Sequence, residues 1–152
     1  MSRRNTIVIT ILIIAVGIQF IQPVANKSSS IERSFDITSQ YPLPSRVQAI
    51  LENSCYDCHS NNTKYPWYAK IQPGAWWLSS HIKKGKTELN FSEFGKYSAR
   101  KQRSELKGIA SSIKDGSMPL RSYTWLHKNA LLDEEEKRLI INWAFSAAES
   151  FK

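Results

Sequence analysis

The sequence predicts an all-α protein in which one apolar N-terminal helix precedes a small helical domain. Apolar residues recur at i, i+3 and i+4 in several segments, which is the spacing of one helix face. No segment alternates apolar and polar residues as a half-buried strand would. The third observation is an uncharged, mostly apolar run from Thr6 to Ile21. Together these observations divide the chain into an apolar helix at 1–25, a polar tether at 26–43 and a helical domain at 44–152.

The apolar run is long enough to cross a membrane. Extended through Ala25, it reaches about 20 residues, or roughly 30 Å as a helix. Arg3 and Arg4 precede it, so the positive-inside rule places them in the cytoplasm and everything after Lys27 on the far side. A cleaved signal peptide has a shorter apolar core followed by a small-x-small site, and Ala25 and Ser28 stand in no such arrangement. We therefore favour an uncleaved anchor over a cleaved signal, and either one exports the domain.

The polar stretch at 26–43 is expected to let the domain stand off the membrane, because serine-rich segments form flexible linkers. A short helix should begin near Ser45, which is a suitable N-cap. Its apolar face consists of Val47, Ile50 and Leu51. This helix delivers the chain to Cys55.

Two further helices are predicted in the middle of the domain. The first extends from Gly74 to Lys84, and Gly85 is expected to end it. The second extends from Ala99 to Asp115 and ends at Gly116. Their apolar faces contain Trp77, Leu78, His81 and Ile82 in the first helix, and Leu106, Ile109, Ala110 and Ile113 in the second.

The last helix should begin at Asp133, because Glu136 follows three residues later as in a capping box. Its apolar face contains Leu139, Ile140, Trp143 and Ala147. Long loops connect the predicted helices, so burial among the helices alone would make such a small domain marginally stable.

Both cysteines of the chain lie in Cys55-Tyr56-Asp57-Cys58-His59, which has the C-x-x-C-H spacing of a c-type haem attachment site. In that chemistry each thiol adds across one haem vinyl group to give a thioether, and the histidine supplies an imidazole nitrogen to the iron. Two intervening residues let both sulfurs reach the same edge of one porphyrin. The motif therefore predicts covalently attached haem c, with Cys55 and Cys58 as attachment points and His59 as an iron ligand.

Other interpretations of the two cysteines were weighed. A structural zinc site usually takes four ligands from two such pairs, and the sequence has no second cysteine pair. A redox dithiol of the thioredoxin type would need a βαβ context, which is not predicted here. A disulfide between Cys55 and Cys58 in a purely structural exported domain is the remaining alternative.

Met118 is the favoured second iron ligand. It lies in a loop between two predicted helices, where Pro119 biases it toward an extended conformation. The only other methionine is the initiator. His81 is the alternative ligand, because it shares a predicted helix face with Trp77. We interpret His127 as a surface residue that at most contacts a haem propionate.

The chain is basic, with a formal net charge of +8 that falls to +6 when Arg3 and Arg4 are left out. Such a balance suits nucleic acid, anionic lipid or an acidic protein. Nucleic acid is not expected, because the domain is exported and carries no recognition motif. A solvated basic surface is the simplest interpretation. An acidic redox partner is the functional one, steered by lysines close in sequence to the haem motif: Lys64, Lys70, Lys83, Lys84 and Lys86.

With these residues assembled, the domain resembles the c-type cytochrome superfamily and, more narrowly, the exported haem-binding domain of many bacterial membrane-anchored proteins. The resemblance covers about residues 44–151. It rests on the segment 55–61, on Tyr65-Pro66-Trp67, on Leu89-Asn90-Phe91-Ser92 and on Met118-Pro119 ahead of a terminal amphipathic helix. It implies a cytochrome c-like helical fold, covalent haem c at the two cysteines, His59 as proximal ligand, and electron transfer.

The sequence and the resemblance together predict a single-pass protein of the bacterial inner membrane whose mono-haem domain faces the periplasm. We expect one-electron transfer rather than enzymatic turnover, since no hydrolytic triad or phosphate-binding glycine loop is present. Methionine–histidine ligation would raise the reduction potential. An open sixth coordination position would instead favour a haem-based sensor or a small peroxidase. The sequence does not indicate the oligomeric state.

Overall fold

The computed structural model describes residues 2–29 and 33–150. Its α-helices are α1 (Arg3–Gly17), α2 (Ile37–Gln40), α3 (Ser45–Ser54), α4 (Tyr56–His59), α5 (Gly74–Glu88), α6 (Ala99–Lys114), α7 (Arg121–Leu126) and α8 (Glu134–Glu149). Short 3-10 turns lie at Ile18–Phe20, Trp67–Lys70, Phe91–Lys96 and Lys128–Ala130. Helices account for 70% of the described residues, which contain no strand, so the predicted all-α class is confirmed.

Helix α1 is the apolar helix predicted at the N-terminus. With the 3-10 turn that follows, it forms an 18-residue helix, Arg3–Phe20, that is long and apolar enough to cross a membrane. None of its residues is buried against the rest of the protein. The length and composition are those of a membrane span, and a signal sequence near an N-terminus has the same properties.

The core of the domain lies where α6 packs along α8 and α3 packs on α8. Most residues of the predicted apolar faces are buried: Val47, Ile50 and Leu51 on α3, Leu78 and Ile82 on α5, Leu106, Ala110 and Ile113 on α6, and Ile140, Trp143 and Ala147 on α8. Ile109 and Leu139 are half-buried, and Trp77, which was predicted on the apolar face of α5, is 45% exposed. Each large apolar side chain contributes about 1.5–3 kcal/mol when it is fully buried. Helices α3, α6 and α8 therefore supply most of the hydrophobic stabilisation.

The predicted ends of α6 and α8 are confirmed. The Asp133 carboxylate accepts the Glu136 backbone N–H at 2.7 Å, and the Glu136 carboxylate accepts the Asp133 N–H at 3.1 Å, which completes a capping box. Gly116 follows α6 with a φ of 72°, a left-handed conformation that favours glycine.

The prediction that Gly85 ends α5 is wrong, because the helix continues to Glu88. Gly85 is buried in the helix instead. A Cβ atom at this position would lie 2.9 Å from the backbone oxygen of Cys58. The glycine is therefore needed for the close approach of α5 to α4, and not for a turn.

Residues of the stretch that we expected to form a tether pack on the domain. Ile37 in α2 is fully buried. The Asp36 carboxylate caps this helix by accepting the Thr38 N–H at 3.0 Å. Earlier in the stretch, Asn26 donates its N–H to the Tyr65 hydroxyl oxygen at 2.6 Å. Residues 30–32 lie outside the described residues.

Candidate haem-binding site

The C-x-x-C-H motif forms a single helical turn. Helix α3 ends at Ser54, and Cys55 interrupts it with φ −127° and ψ −41°. The Cys55 carbonyl then accepts the backbone N–H groups of Cys58 at 3.2 Å and His59 at 3.0 Å. Because residues at i, i+3 and i+4 share one side of a helix, both thiols and the imidazole start from the same side of this turn.

The two thiols are free and half-buried. Burial, with a smaller contribution from Cys58, raises the pKa of Cys55 to about 12. Burial and the nearby Asp57 carboxylate raise the pKa of Cys58 to about 11. Both groups are therefore protonated at neutral pH, unlike the reactive thiolates of dithiol oxidoreductases.

A backbone carbonyl fixes the tautomer of His59. Its Nδ1 lies 3.0 Å from the carbonyl oxygen of Leu89. Since a carbonyl can only accept, Nδ1 carries a proton, and in the neutral imidazole Nε2 then has a free lone pair. This is the arrangement found in metal-ligating histidines, whose other ring nitrogen donates to an oxygen that orients the ring. The buried ring of Phe91 lies 5.9 Å from the imidazole, centroid to centroid.

The segment Leu89–Ser92 supports the end of the motif through hydrogen bonds. The Asn90 side chain donates to the Asn61 side-chain oxygen at 2.8 Å. The Asn61 backbone N–H donates to the Ser92 hydroxyl oxygen at 3.1 Å. Phe91 also stacks on Tyr56 with the ring centroids 5.2 Å apart. Two segments that the sequence analysis treated as separate motifs thus form one structural unit.

Asp57, the second residue between the cysteines, ties helix α7 to the motif. Its carboxylate accepts the Tyr123 hydroxyl at 2.7 Å and the Lys64 N–H at 2.9 Å. Its carbonyl accepts the Thr63 hydroxyl at 2.7 Å. Burial and the hydrogen bond to Asp57 raise the pKa of Tyr123, so the phenol is neutral and donates to the carboxylate.

His127 is half-buried and not a plain surface residue. The Tyr68 hydroxyl lies 2.7 Å from its Nε2 atom. Its ring stacks on Tyr123, with centroids 4.3 Å apart and planes 11° from parallel. Burial, with smaller contributions from Asp57 and Cys58, raises the pKa of Tyr68. These three rings form an aromatic wall beside the motif turn.

The two candidates for the second iron ligand lie on different elements: His81 is on α5, which packs on the motif turn, and Met118 is in the loop before α7. Met118 is half-buried between α6 and α7, and its N–H donates to the Ser112 carbonyl at 3.1 Å. Its side chain packs against the cluster of Ile50, Ile113, Leu132 and Ile140. His81 on α5 is also half-buried, with Nδ1 2.9 Å from the Trp77 carbonyl and its ring 4.2 Å from the Trp77 ring. Ligation by either residue stays a prediction.

Several residues contribute to this site in ways that sequence reasoning did not predict: Asp57, Tyr68, Gly85, Leu89 and Tyr123. Every residue type has a backbone carbonyl, so a contact such as that of Leu89 cannot be recognised from the amino-acid sequence. The aromatic residues Tyr68 and Tyr123 are distant from the motif along the chain, and only the fold brings them to it. Gly85 was noticed as a glycine but interpreted as a helix end.

Two protonated thiols and an imidazole with a free lone pair on one helical turn match the donor set that haem c requires. The fold and the site thus define a helical haem-binding protein. The chain belongs to the haem-binding domain family, whose model matches residues 13–146. A search of curated proteins and a search of solved structures find no match. The prediction that this is a haem-binding protein is confirmed.

Proposed function

We propose that this protein is a membrane-anchored mono-haem cytochrome of the c type that transfers single electrons outside the cytoplasm. Cys55 and Cys58 would hold haem c through two thioether bonds, and His59 would bind the iron through Nε2. The observation that carries this proposal is the hydrogen bond from His59 to the Leu89 carbonyl. This hydrogen bond orients the imidazole and leaves Nε2 available to bind iron, on the same helical turn that carries both thiols. When bound, the haem supplies one-electron chemistry at its iron.

The residues around the motif would fix the ligand and its surroundings. The Leu89 carbonyl accepts the Nδ1 proton of His59, which orients the imidazole and makes it a stronger ligand. Met118 would supply a soft thioether sulfur as the second iron ligand, and such a ligand would favour the ferrous state and raise the reduction potential. His81 is the alternative and would lower the potential.

The domain would face the periplasm of a bacterium, with α1 in the inner membrane. Arg3 and Arg4, at the start of α1, would lie in the cytoplasm under the positive-inside rule. The apolar side chains of α1 from Ile7 to Val16 are 43–67% exposed, so in this location lipid would cover them. We propose no enzymatic turnover for this domain.

An acidic redox protein is the proposed partner, and nucleic acid is not. Lys64, Lys70 and Lys83 are exposed and could attract such a partner. Lys84 is also exposed, but its ammonium group lies 4.0 Å from the Glu88 carboxylate. Lys86 differs from them, because its ammonium group donates to the Asn26 side-chain oxygen at 2.6 Å. Raised salt should slow reduction by an acidic partner, since exposed charges are screened. A rate that does not depend on salt would count against this role of the lysines.

Covalent attachment is tested by expressing the full chain in a host competent in haem c attachment. We expect the intact mass to include one haem that stays with the chain after denaturation. Cys55→Ala and Cys58→Ala should each remove one thioether, and the double variant should lose covalent haem altogether. Protein of unmodified mass, or a bond between the two sulfurs, would contradict the proposal.

The second ligand is tested by comparing the absorption spectra of Met118→Ala and His81→Ala. We expect only Met118→Ala to lose the low-spin, six-coordinate ferric spectrum and to bind carbon monoxide readily. Loss in the His81 variant alone would reassign the ligand. A wild-type protein that is already five-coordinate would favour the sensor or peroxidase alternative over electron transfer.

A further inference from the structure

Large apolar side chains are exposed in the 3-10 turn Trp67–Lys70, in the residues just after it and in the first turn of α5. Trp67 is 78% exposed, Ile71 49%, Trp76 37% and Trp77 45%. We call residues 67–77 the tryptophan loop. Three tryptophans and an isoleucine exposed within eleven residues form an apolar surface that water solvates poorly.

The tryptophan loop is hydrogen-bonded to the end of the apolar helix. The side-chain amide of Gln19 makes two hydrogen bonds to the backbone of Gln72. The Gln72 N–H donates to the Gln19 side-chain oxygen at 2.9 Å, and the Gln19 side-chain N–H donates to the Gln72 carbonyl at 3.4 Å. The Gln22 amide donates to the Lys70 carbonyl at 3.1 Å. The loop is therefore attached to the last turn of the Arg3–Phe20 helix and to the residues just after it.

The Ile21 carbonyl makes the contact tighter. It accepts the Trp76 indole N–H at 3.0 Å and the Gln72 side-chain amide at 2.7 Å. Gln72 is 5% exposed, so its contact with Ile21 is buried. The indole N–H of Trp76 is thus satisfied, while a part of its ring stays uncovered by protein.

This attachment sets the depth of the loop if α1 spans a bilayer. The last turn of a spanning helix lies where the hydrocarbon core gives way to the headgroups. A segment bonded to that turn must lie at the same level. Tryptophan is enriched at this level in membrane proteins, because its ring is apolar and its N–H is polar. Lys70 in the same loop is exposed, and at this level its positive charge would face the phosphates of anionic lipids, which leaves the attraction of a protein partner to the lysines outside the loop.

We propose that the tryptophan loop inserts into the headgroup layer of the phospholipid bilayer and seats the haem-binding domain on the membrane at a fixed orientation. The proposal rests on the membrane anchoring proposed above. Tyr68, within the loop, also contacts His127 beside the motif turn. The tryptophan loop and the haem-binding site thus form one connected part of the domain.

The test is photolabelling of the full-length, haem-loaded protein in nanodiscs of phosphatidylethanolamine and phosphatidylglycerol. A fraction of the lipid carries a diazirine close to the glycerol, and the labelled residues are mapped by mass spectrometry. We expect label in the span, residues 6–21, and in the tryptophan loop. Phe145 on α8 is the internal control, because it is 45% exposed, as Trp77 is, and should not be labelled.

Two variants locate the cause of any labelling. Trp67→Gln combined with Ile71→Gln replaces exposed side chains, so folding should be preserved while labelling of the loop is lost and labelling of the span remains. Phe145→Gln, the matched control, should leave labelling of the loop unchanged. Gln19→Ala, which removes the pairing with Gln72, should reduce labelling of the loop severalfold.

The outcomes separate the two proposals. Label in the span, with no more label in the loop than at Phe145, would contradict insertion of the loop but not the membrane anchor. The loop would then be free to face a protein partner. An unlabelled span would contradict the proposed membrane anchor, and insertion of the loop, which depends on the anchor, would be contradicted as well.

Discussion

The helical core and the motif turn are stabilised by different kinds of contact. Where α6 meets α8, the contact is apolar: Leu106 and Ile140 are fully buried, and Ala110 is 1% exposed. Around the motif turn the contacts are directional hydrogen bonds, as in the pairs His59–Leu89 and Asp57–Tyr123. The burial energy of an apolar contact depends on area and not on direction, whereas a hydrogen bond weakens steeply when its angle changes.

This difference suggests a division of labour within one small domain. The core should determine the free energy of unfolding, and the motif region should determine the geometry of the iron ligand. Substitutions in the two regions should then be separable, the first by denaturation and the second by absorption spectra. Four substitutions test this separation, from the largest expected effect to the smallest.

Ile140→Ala should have the largest effect on stability. It deletes a fully buried side chain and leaves a cavity, so the free energy of unfolding should fall by about 2–5 kcal/mol. Urea denaturation measures the change, and the absorption spectrum of the folded variant should match that of the wild type. Leu131→Ala is the control, because Leu131 is 63% exposed and should change stability by less than about 0.5 kcal/mol. Equal effects of the two substitutions would contradict the assignment of the core.

Gly85→Ala should both destabilise the protein and alter its spectrum. The added methyl group would lie 2.9 Å from the Cys58 carbonyl, and such overpacking costs about 1–3 kcal/mol. That cost exceeds the gain in helix propensity. Gly108→Ala, within α6, is the matched control: its new methyl group meets no atom within 4 Å, so stability should rise by about 0.5–1 kcal/mol. The same sign for both variants would refute the close approach of α5 to the motif turn.

Tyr123→Phe removes one hydrogen bond to Asp57 and should lower stability by about 1 kcal/mol. Burial and that hydrogen bond raise the pKa of Tyr123 above its ordinary 10.0. Above about pH 10 the unfolded chain therefore loses this proton while the folded protein keeps it, and stability falls as the pH rises. The decline, followed by urea denaturation at successive pH values, should be shallower in the variant. An unchanged decline would show that Tyr123 does not contribute to it.

Asp133→Ala removes the capping box and should have the smallest effect, between about 0.5 and 1 kcal/mol, with no spectral change. Asp133→Asn keeps an oxygen that can accept the Glu136 N–H, so it should restore most of the stability. A larger spectral change than for Gly85→Ala would break the proposed separation between core and motif.

The parts of the structure that could be predicted from the sequence are those whose physical cause repeats along the chain. The buried faces of α3, α6 and α8 were predicted because burial on one side of a helix imposes a period of 3.6 residues. The capping box at Asp133 was predicted because its two partners are three residues apart. Haem binding was predicted because the C-x-x-C-H spacing of Cys55, Cys58 and His59 is typical of haem attachment sites.

The parts that could not be predicted depend on contacts between segments distant in sequence. Gly85 has the same local signature whether it ends a helix or lets another segment approach closely, and only the position of Cys58 distinguishes the two. Helix α2 is four residues long, too short to show a period. The glutamine pair Gln19–Gln72 consists of residues that are common on surfaces, so their bonding was not foreseen.

The acceptor that orients His59 belongs to the main chain at Leu89. No amino-acid replacement at that position can delete a peptide oxygen, so single mutations there can disturb the histidine only by moving the backbone. The orientation of the His59 imidazole therefore does not depend on which residue type occupies position 89. We expect substitutions of neighbours such as Asn90 and Phe91 to disturb the orientation of His59 instead, because their side chains hold that stretch of backbone in place.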